Sequence, residues 1–489
     1  MRHQSAWHAE TRDFKFCEGG GPDEPGREIK NGNNVGHVAT GHKPRQVETR
    51  SPVRVNLPLR ICAPGNTRHC ERVSDAAELA KPGVSPASDR LPGRSWLMLF
   101  VLATIQFTNI VDFLIMMPLG PQFMRIFSIS PGQFGFVVST YAFSAGLSGV
   151  AAAFFLDRFD RRVAILALYA GLTLGTLCCG LAPNFALLVA ARILTGVFGG
   201  IIGAAVLSAT GDLIPESHRG RAMGIIMSSF SMAAVVGVPL GLWLASRGGW
   251  HRPFLVLAGA GAVMWLIAAR LLPSMRGHLL GPARARPHPL HHLREIAAPA
   301  NHRRAYALMA SLTLAGMCVV PYLSAYVVAN TGFKEDQLFL IYLLGGACTL
   351  VSMNVIGRLA DFHGKFPVFA FVAVCSIGTT LTLTHLPAVP RSLLLIVTSF
   401  FMVFMSGRFI PAMAMITSSA EPRLRGGFMS LNTSVQQFAS AFASLGSGLL
   451  VGQTADGRIT GYGTIGFISA GLVIVSIFLA SRLRTPGRS

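Results

Sequence analysis

The sequence predicts an all-α membrane protein with about twelve transmembrane helices in two six-helix bundles. Charged residues make up only 13% of the chain, whereas apolar residues make up 51%. From Trp96 onward, apolar stretches of membrane-crossing length follow one another with short turns between them. A helix of about 20 residues spans a hydrocarbon core of about 30 Å, and it satisfies its own backbone hydrogen bonds there. This pattern excludes an ordinary soluble protein.

Residues 1–93 have a different composition from the rest of the chain. This head is polar, rich in Gly, Pro, Arg and Asn, and it lacks the period of a helix or a strand. Segments with so little apolar surface cannot offset the entropy lost on ordering. The head also lacks the charged-then-apolar layout of a signal peptide. We therefore predict a disordered, cytoplasmic N-terminal extension.

The predicted helices fall into two groups of six. Residues 94–273 form the predicted N-terminal bundle and residues 304–489 the C-terminal bundle, joined by a basic, Pro-interrupted cytoplasmic linker at 274–303. The predicted spans are 96–119, 133–156, 163–183, 185–208, 221–246, 252–273, 305–330, 337–358, 366–386, 392–416, 428–451 and 462–482.

Basic residues in the turns predict the orientation of the helices. If the first helix starts on the cytoplasmic side, that side carries twenty Arg and Lys residues and the outer side six. Cytoplasmic loops are enriched in Lys and Arg, so we expect a multi-pass protein of the cell membrane with both termini in the cytoplasm. The net charge of +20 is spread over these turns. It does not indicate a nucleic-acid partner.

The turn after the second predicted helix resembles the turn after the eighth, as expected for an internal duplication. Each turn places an Asp at the cytoplasmic end of a helix and a basic residue close behind it. The residues that carry this pattern are Asp157, Arg158, Arg161 and Arg162 in the first copy, and Gly357, Asp361, Gly364 and Lys365 in the second.

With these two loops the sequence resembles the major facilitator superfamily, in particular its drug- and sugar-efflux proton antiporters. The loop signature of that family is Gly-x-Leu-x-Asp-Arg-x-Gly-Arg-Arg/Lys. The second copy here keeps both glycines, whereas the first has Ala153 and Asp160 in their places. We expect Asp160 to be tolerated in the turn because Asp accepts left-handed backbone angles.

Two further stretches carry the same resemblance. Arg192, followed by Gly196, matches an Arg signature of the fourth helix. Gly237, Pro239 and Gly241 keep part of the antiporter motif of the fifth helix, and the Pro removes a backbone donor and is expected to bend that helix. The resemblance covers residues 94–484 and leaves the head of the chain unexplained.

The resemblance implies a role for the loop residues on the cytoplasmic side. Asp157 is expected near the N-terminus of the eleventh helix, where the helix dipole favours negative charge. The arginines of the first loop are expected to pair with Asp212 or Glu216, and the cluster would latch the two halves together. The alternative is that these arginines only fix the orientation of the helices in the membrane.

Asp112 is the acidic residue that lies within a predicted apolar core rather than at a helix end. An ionisable group there is costly and normally faces a cavity or a partner, and burial brings carboxyl protonation towards physiological pH. We interpret Asp112 as the group that binds and releases a coupling proton, a structural hydrogen bond being the alternative. The resemblance implies that Arg192 modulates its protonation.

Polar side chains inside other predicted helices are candidates for a substrate cavity. Gln106 and Asn109 precede Asp112 at three-residue steps and share one face of the first helix with it. Arg408 lies inside the tenth predicted helix, where it either lines the substrate path or forms a structural bridge. The full set of cavity candidates is Gln106, Asn109, Asn354, Arg408, Asn432 and Gln436.

The sequence therefore predicts a secondary active transporter that exports a small organic solute or drug by proton antiport. Its expected partners are the lipid bilayer, a small-molecule substrate and protons, and we expect a monomer without cofactor or metal. An uptake symporter or facilitator of the same fold, and a non-transporting membrane sensor, are the alternatives. Motifs for nucleophilic hydrolases, zinc peptidases and ATP-binding loops do not occur in the sequence, so no enzyme is predicted.

Overall fold

The computed structural model describes residues 93–276, 294–421 and 423–484. In the first half of the chain, the described helices are α1 (Gly93–Ile115), α2 (Gly120–Ile126), α3 (Pro131–Phe155), α4 (Arg161–Gly180), α5 (Phe185–Leu213), α6 (Glu216–Met232), α7 (Val238–Gly248) and α8 (His251–Leu271). A π-helical segment, Ala233–Gly237, joins α6 to α7 without a break, so the two form one membrane helix.

In the second half, the described helices are α9 (Ala300–Thr331), α10 (Leu338–His363), α11 (Lys365–Thr384), α12 (Arg391–Gly407), α13 (Phe409–Ser418), α14 (Arg425–Leu450) and α15 (Tyr462–Ser481). Two short strands, β1 (Gly452–Gln453) and β2 (Ile459–Thr460), pair antiparallel between α14 and α15. Helices α12 and α13 meet at Arg408 and together form one membrane helix.

The structure confirms the predicted all-α membrane fold. Eleven of the described helices are long and apolar enough to cross a membrane. The twelfth, α14, is 26 residues long, or about 39 Å, but it is more polar than the others. Besides Arg425 at its start, its polar residues are Ser430, Asn432, Thr433, Ser434, Gln436, Gln437, Ser440, Ser444 and Ser447.

Several boundaries differ from those predicted. Helix α5 ends at Leu213 and α10 at His363, each five residues later than predicted. Helix α1 ends at Ile115, because the chain turns ahead of Pro118 and restarts as α2, so the predicted end at 119 is wrong. Helix α9 starts at Ala300, inside the predicted linker. Most of that linker and the predicted N-terminal extension lie outside the described residues.

Local chemistry accounts for several helix ends. Ser130 caps α3 through a reciprocal capping box with Gln133, and Pro131 occupies the first turn, where no donor is lost. The side chain of Asn184 accepts the backbone N–H of Leu187 and begins α5 in the same way. At the end of α10, Gly364 has a φ of 96°, a conformation that favours glycine over other residues.

The two halves contact each other along α3 and α14 and near the predicted outer face. Tyr322 of α9 donates a hydrogen bond to the backbone oxygen of Pro131 at 3.0 Å. A Cβ at Gly135 would lie only 2.5 Å from the Ser444 backbone oxygen, so the helix backbones approach closely here. Arg125 and Glu335 form an ion pair of 2.5 Å between the halves, and this hydrogen bond raises the pKa of Arg125.

Asp160 does not adopt the left-handed conformation that the loop signature predicted. Its φ is −55°, and it serves instead as the N-cap of α4. Its carboxylate accepts hydrogen bonds from the backbone N–H groups of Arg162 at 2.9 Å and Met275 at 3.0 Å, and from the hydroxyl of Ser274. Arg276 adds an ion pair at 3.3 Å. Asp160 therefore ties the start of α4 to the residues that follow α8.

These contacts also determine the ionisation of Asp160. Burial opposes the charged form and is the largest single effect, but the hydrogen bonds from Ser274, Met275 and Arg162 and the contact with Arg276 together outweigh it. They lower the pKa of Asp160 to about 2. Because this pKa is below the unfolded value of 3.8, the stabilisation is complete above pH 3.8 and is lost as the pH falls towards 2.

We predict that Asp160→Asn destabilises the protein by about 2 kcal/mol at neutral pH, because the amide removes a charged acceptor from four donors. Thermal unfolding in detergent measures the effect, with Asp456→Asn in the exposed β1–β2 turn as the matched control. The difference between wild type and Asp160→Asn should shrink between pH 4 and pH 2. Equal melting temperatures at neutral pH would contradict this role.

Candidate functional site

Asp112 and Arg192 form a buried ion pair between α1 and α5. The Nη1 of Arg192 lies 3.0 Å from Oδ2 of Asp112, and both side chains are only 1% exposed. The same nitrogen also donates to the backbone oxygen of Asp112 at 3.3 Å. Asp112 is one turn from the end of α1 and Arg192 two turns from the start of α5, so the pair lies towards the predicted outer face.

Two residues that the sequence analysis missed complete this pair. Thr176 of α4 donates its hydroxyl to Oδ1 of Asp112 at 2.8 Å. The guanidinium of Arg192 lies over the ring of Tyr141 in α3, with 4.4 Å from Cζ to the ring centroid. Asp112 thus has partners on α4 and α5, and Arg192 has a second, uncharged partner on α3. The sequence of an apolar helix does not show which Thr or Tyr will contact the ion pair, because that depends on how the helices pack.

The polar face of α1 packs against α5. A Cβ at Gly199 would meet the side-chain oxygen of Asn109 at 2.8 Å, and one at Gly203 would meet Gln106 at 3.6 Å. Gly199 therefore provides room for the Asn109 amide, whereas a Cβ at Gly203 would make only an ordinary contact with Gln106. Asn109 is buried and Gln106 half-buried, and the amide oxygen of each has no hydrogen-bond partner within the described residues.

The fifth-helix motif contacts α1 on both sides of Asp112. A Cβ at Gly237 would lie 2.3 Å from a methyl of Val111, and one at Gly241 would lie 2.5 Å from a methyl of Ile115. Pro239 lies between these glycines, directly after the π-helical segment. The glycines and the Pro thus let α7 approach α1 closely at the level of the ion pair.

The first loop copy makes its described contacts to the first half. Arg161 pairs with Asp212 of α5 at 3.3 Å, as expected, and Arg162 donates to the backbone oxygen of Ala269 in α8. Arg158 is exposed. The side chains of Asp157 and Glu216 lie outside the described part of the chain, so the expected contact of Asp157 with the eleventh helix remains a prediction.

The second loop copy lies at the end of α10. Asp361 is exposed and Lys365 half-buried, and Gly364 has the positive φ given above. A Cβ at Gly357 would meet only Ile410, at 3.9 Å, so space alone does not require glycine there.

The cavity candidates of the second half lie in different environments. Asn354 is exposed and donates to the Leu350 oxygen of its own helix. Asn432 and Arg408 are fully buried, and Gln436 is half-buried. The sequence pattern could not distinguish these environments, because each depends on which neighbouring helix covers the residue.

Two large grooves are lined by apolar side chains and lie away from these residues. One, of about 910 Å³, lies among α10, α11 and α12. The other, of about 630 Å³, lies among α3, α5 and α14. Neither contains Asp112, Arg192 or Arg408. Among the described residues, no cluster of three or more His, Cys, Asp or Glu side chains could hold a metal ion.

Known proteins of similar sequence are transporters. The chain is 25% identical over 401 residues to an uncharacterized MFS-type transporter, YceJ, of Bacillus subtilis, an alignment that covers 81% of this chain and 99% of YceJ. It is 30% identical over 260 residues to the chloramphenicol efflux pump Rv0191 of Mycobacterium tuberculosis, covering 52% of this chain and 59% of the pump.

Solved structures share the fold at low sequence identity. A bacterial homolog of the human lysosomal transporter Spinster, in an inward-facing and unoccupied conformation, aligns with a TM-score of 0.64 and 16% identity, over 82% of this chain and all of that one. The nucleoside transporter NupG aligns with a TM-score of 0.62 and 14% identity, over 80% of this chain and 99% of NupG. The sequence pattern of the Major Facilitator Superfamily matches residues 102–444, and the chain belongs to this family of membrane transporters.

Proposed function

We propose that the protein exports a small organic solute by proton antiport, with Asp112 as the proton carrier and Arg192 as the residue that controls its protonation. The observation that carries this proposal is the buried pair itself. A carboxylate held at 3.0 Å from a guanidinium inside the membrane region is stable only while its charge is compensated. Exchange of a proton there changes the free energy of the whole site.

The surroundings of Arg192 explain how the pair can open. Protonation of Asp112 removes the charge that compensates Arg192, and a buried guanidinium stays charged. The Tyr141 ring and the backbone oxygen of Asp112 remain as partners, and a cation over an aromatic ring gains about 2 kcal/mol when desolvated. These two contacts lower the cost of leaving the Arg192 charge without its carboxylate, but they do not replace the carboxylate.

The fifth-helix motif supports coupling between the pair and the two halves. Gly237 contacts Val111 beside Asp112, and the preceding residues Ala234 and Val235 pack against Gly346 of α10, in the other half. A shift of α1 on protonation would therefore reach the interface between the halves through this one segment. Rocking of two halves about such an interface is how repeat-built transporters alternate access.

Export rather than uptake is supported by two observations. The relative Rv0191 is a chloramphenicol efflux pump, and the fifth-helix residues retain part of an antiporter motif at the position that flanks Asp112. We propose the cell membrane as the location and cytoplasmic termini, because the basic residues favour that orientation. A growth screen of an efflux-deficient host against toxic compounds, chloramphenicol included, identifies the cargo.

Asp112→Asn is expected to abolish transport driven by a pH gradient in proteoliposomes, because the amide keeps the shape of the side chain but cannot carry the proton. It also leaves Arg192 without an anion, a loss of about 3–5 kcal/mol. Uptake of the identified cargo into proteoliposomes, measured with and without the pH gradient, tests whether Asp112 carries the proton.

A double variant separates the two effects of this change. Asp112→Asn combined with Arg192→Gln removes both charges, so most of the stability should return while the gradient dependence stays lost. Asp456→Asn serves as the control with normal coupling. A single Asp112→Asn variant that still responds fully to the pH gradient would show that another group carries the proton.

The ion pair between Arg125 and Glu335 is expected to hold the predicted outer face closed. Arg125 is 65% exposed, so the pair is worth only about 0.5–1 kcal/mol. Glu335→Gln should therefore raise the labelling rate of a cysteine at Ser444, measured with an impermeant maleimide in a cysteine-free background, by about two- to fivefold.

Asp336→Asn, which changes the neighbouring exposed carboxylate, is the matched control and should leave the labelling rate unchanged. The charge exchange Arg125→Glu with Glu335→Arg should restore the slow rate. Equal labelling rates in Glu335→Gln and in the control would show that the Arg125–Glu335 pair does not hold the outer face closed.

A further inference from the structure

Arg408 is a buried cation at the point where one membrane helix is interrupted. Helix α12 ends at Gly407 and α13 begins at Phe409, and the side chain between them is 0% exposed. The backbone hydrogen bonds that cross this point are long: 3.4 Å from Arg408 N to Phe404 O, and 3.4 Å from Ala412 N to Arg408 O. The usual length is about 2.9–3.0 Å.

The guanidinium of Arg408 has only neutral and weak partners. Nη1 donates to the hydroxyl of Ser376 at 3.3 Å, and Nη2 to the backbone oxygen of Leu312 at 3.4 Å. The third partner is the sulfur of Met405, at 2.9 Å from Nη2. Nε has no partner within the described residues. Arg192, by contrast, has a carboxylate at 3.0 Å.

In the described part of the second half, no carboxylate pairs with this charge. The acidic residues of this half from residue 304 onward lie in loops or at helix ends, as the full sequence shows: Glu335, Asp336, Asp361, Glu421 and Asp456. An Arg side chain does not deprotonate in a protein, and an uncompensated buried charge costs several kcal/mol. An apolar side chain would avoid this cost, and the described residues supply no counter-ion for the charge.

The Nε/Nη2 edge of a guanidinium is an edge that can pair with both oxygens of a carboxylate, and on this edge of Arg408 the Nε has no partner within the described residues. Nε and Nη2 point along the same side of the plane, and two parallel N–H groups match the two oxygens of a carboxylate. Nη2 contacts the Leu312 backbone oxygen and the sulfur of Met405, and the unbranched thioether side chain of Met405 moves easily. Gly316 of α9 adds no side chain here, since even a Cβ at that position would lie 3.7 Å from Nη2.

We propose that Arg408 forms an anion-binding site in the second half, which takes a monovalent anionic group, preferentially a carboxylate, on its Nε/Nη2 edge after Met405 moves aside. The group is either a free anion or the carboxylate of a transported solute. This site goes beyond the proposed proton exchange at Asp112, which lies in the other half, and its test measures binding rather than transport. Failure of either proposal leaves the other standing.

The test is thermal unfolding of the purified full-length protein in detergent, at constant ionic strength set with sodium sulfate. Benzoate presents a carboxylate on an organic body, chloride is a free inorganic anion, and benzamide is the neutral counterpart of benzoate. We expect saturable stabilisation by benzoate and none by benzamide. Stabilisation by both anions supports a site open to free anions, and stabilisation by benzoate alone supports recognition of a carboxylate-bearing solute.

Arg408→Met is the decisive variant, because a Met side chain of similar length removes the unpaired charge without leaving a cavity. It should fold and lose the response to both anions. Arg408→Lys keeps the charge but not the paired donors, so its apparent Kd for benzoate should rise about tenfold or more. Arg458→Gln, which removes an exposed Arg in the β1–β2 turn, is the matched control and should respond as wild type does. An anion response that persists in Arg408→Met, or no response of wild type to either anion, would overturn the proposal.

Discussion

The compensation of charge inside a low-dielectric interior is the constraint on which the first half of this protein depends. The Asp112 carboxylate, fully buried, is held by a guanidinium at 3.0 Å and a hydroxyl at 2.8 Å. To bring these groups together, α1, α4 and α5 must pack within side-chain reach of each other. The glycines that flank the site on α5 and α7 make this possible, because any larger residue would separate the helices.

The two halves treat a buried Arg in opposite ways. Arg192 has an anion within the chain and an aromatic ring as a second partner. Arg408 has hydroxyl, carbonyl and thioether contacts at a helix interruption. Of these two buried arginines in the described residues, only Arg192 has a counter-charge fixed by the chain.

The sequence predicted the helices well, because the length and polarity of each span follow directly from the bilayer. It also identified Asp112 and Arg192, since charges are conspicuous in apolar segments. It did not predict Thr176 or Tyr141 as their partners, or the end of α1 at Ile115. The left-handed conformation expected for Asp160 was also wrong. The donors that fix its side chain, Ser274 and Met275, lie more than 100 residues away in the chain, so the loop sequence alone could not reveal them. Contacts between helices depend on packing, which a hydropathy pattern does not encode.

The polarity of α14 has a consequence for how the protein is assembled. A segment with so many serines and amides gains little free energy by entering lipid alone, since each polar side chain offsets the burial of apolar ones. Much of α14 is instead covered by α3 of the first half, where Phe143 stacks edge-on against Phe438 and Gly149 faces Ser434. The eleventh span, α14, should therefore enter the bilayer late, by packing against the N-terminal half that is already inserted. The order of synthesis along the chain is then part of the folding mechanism.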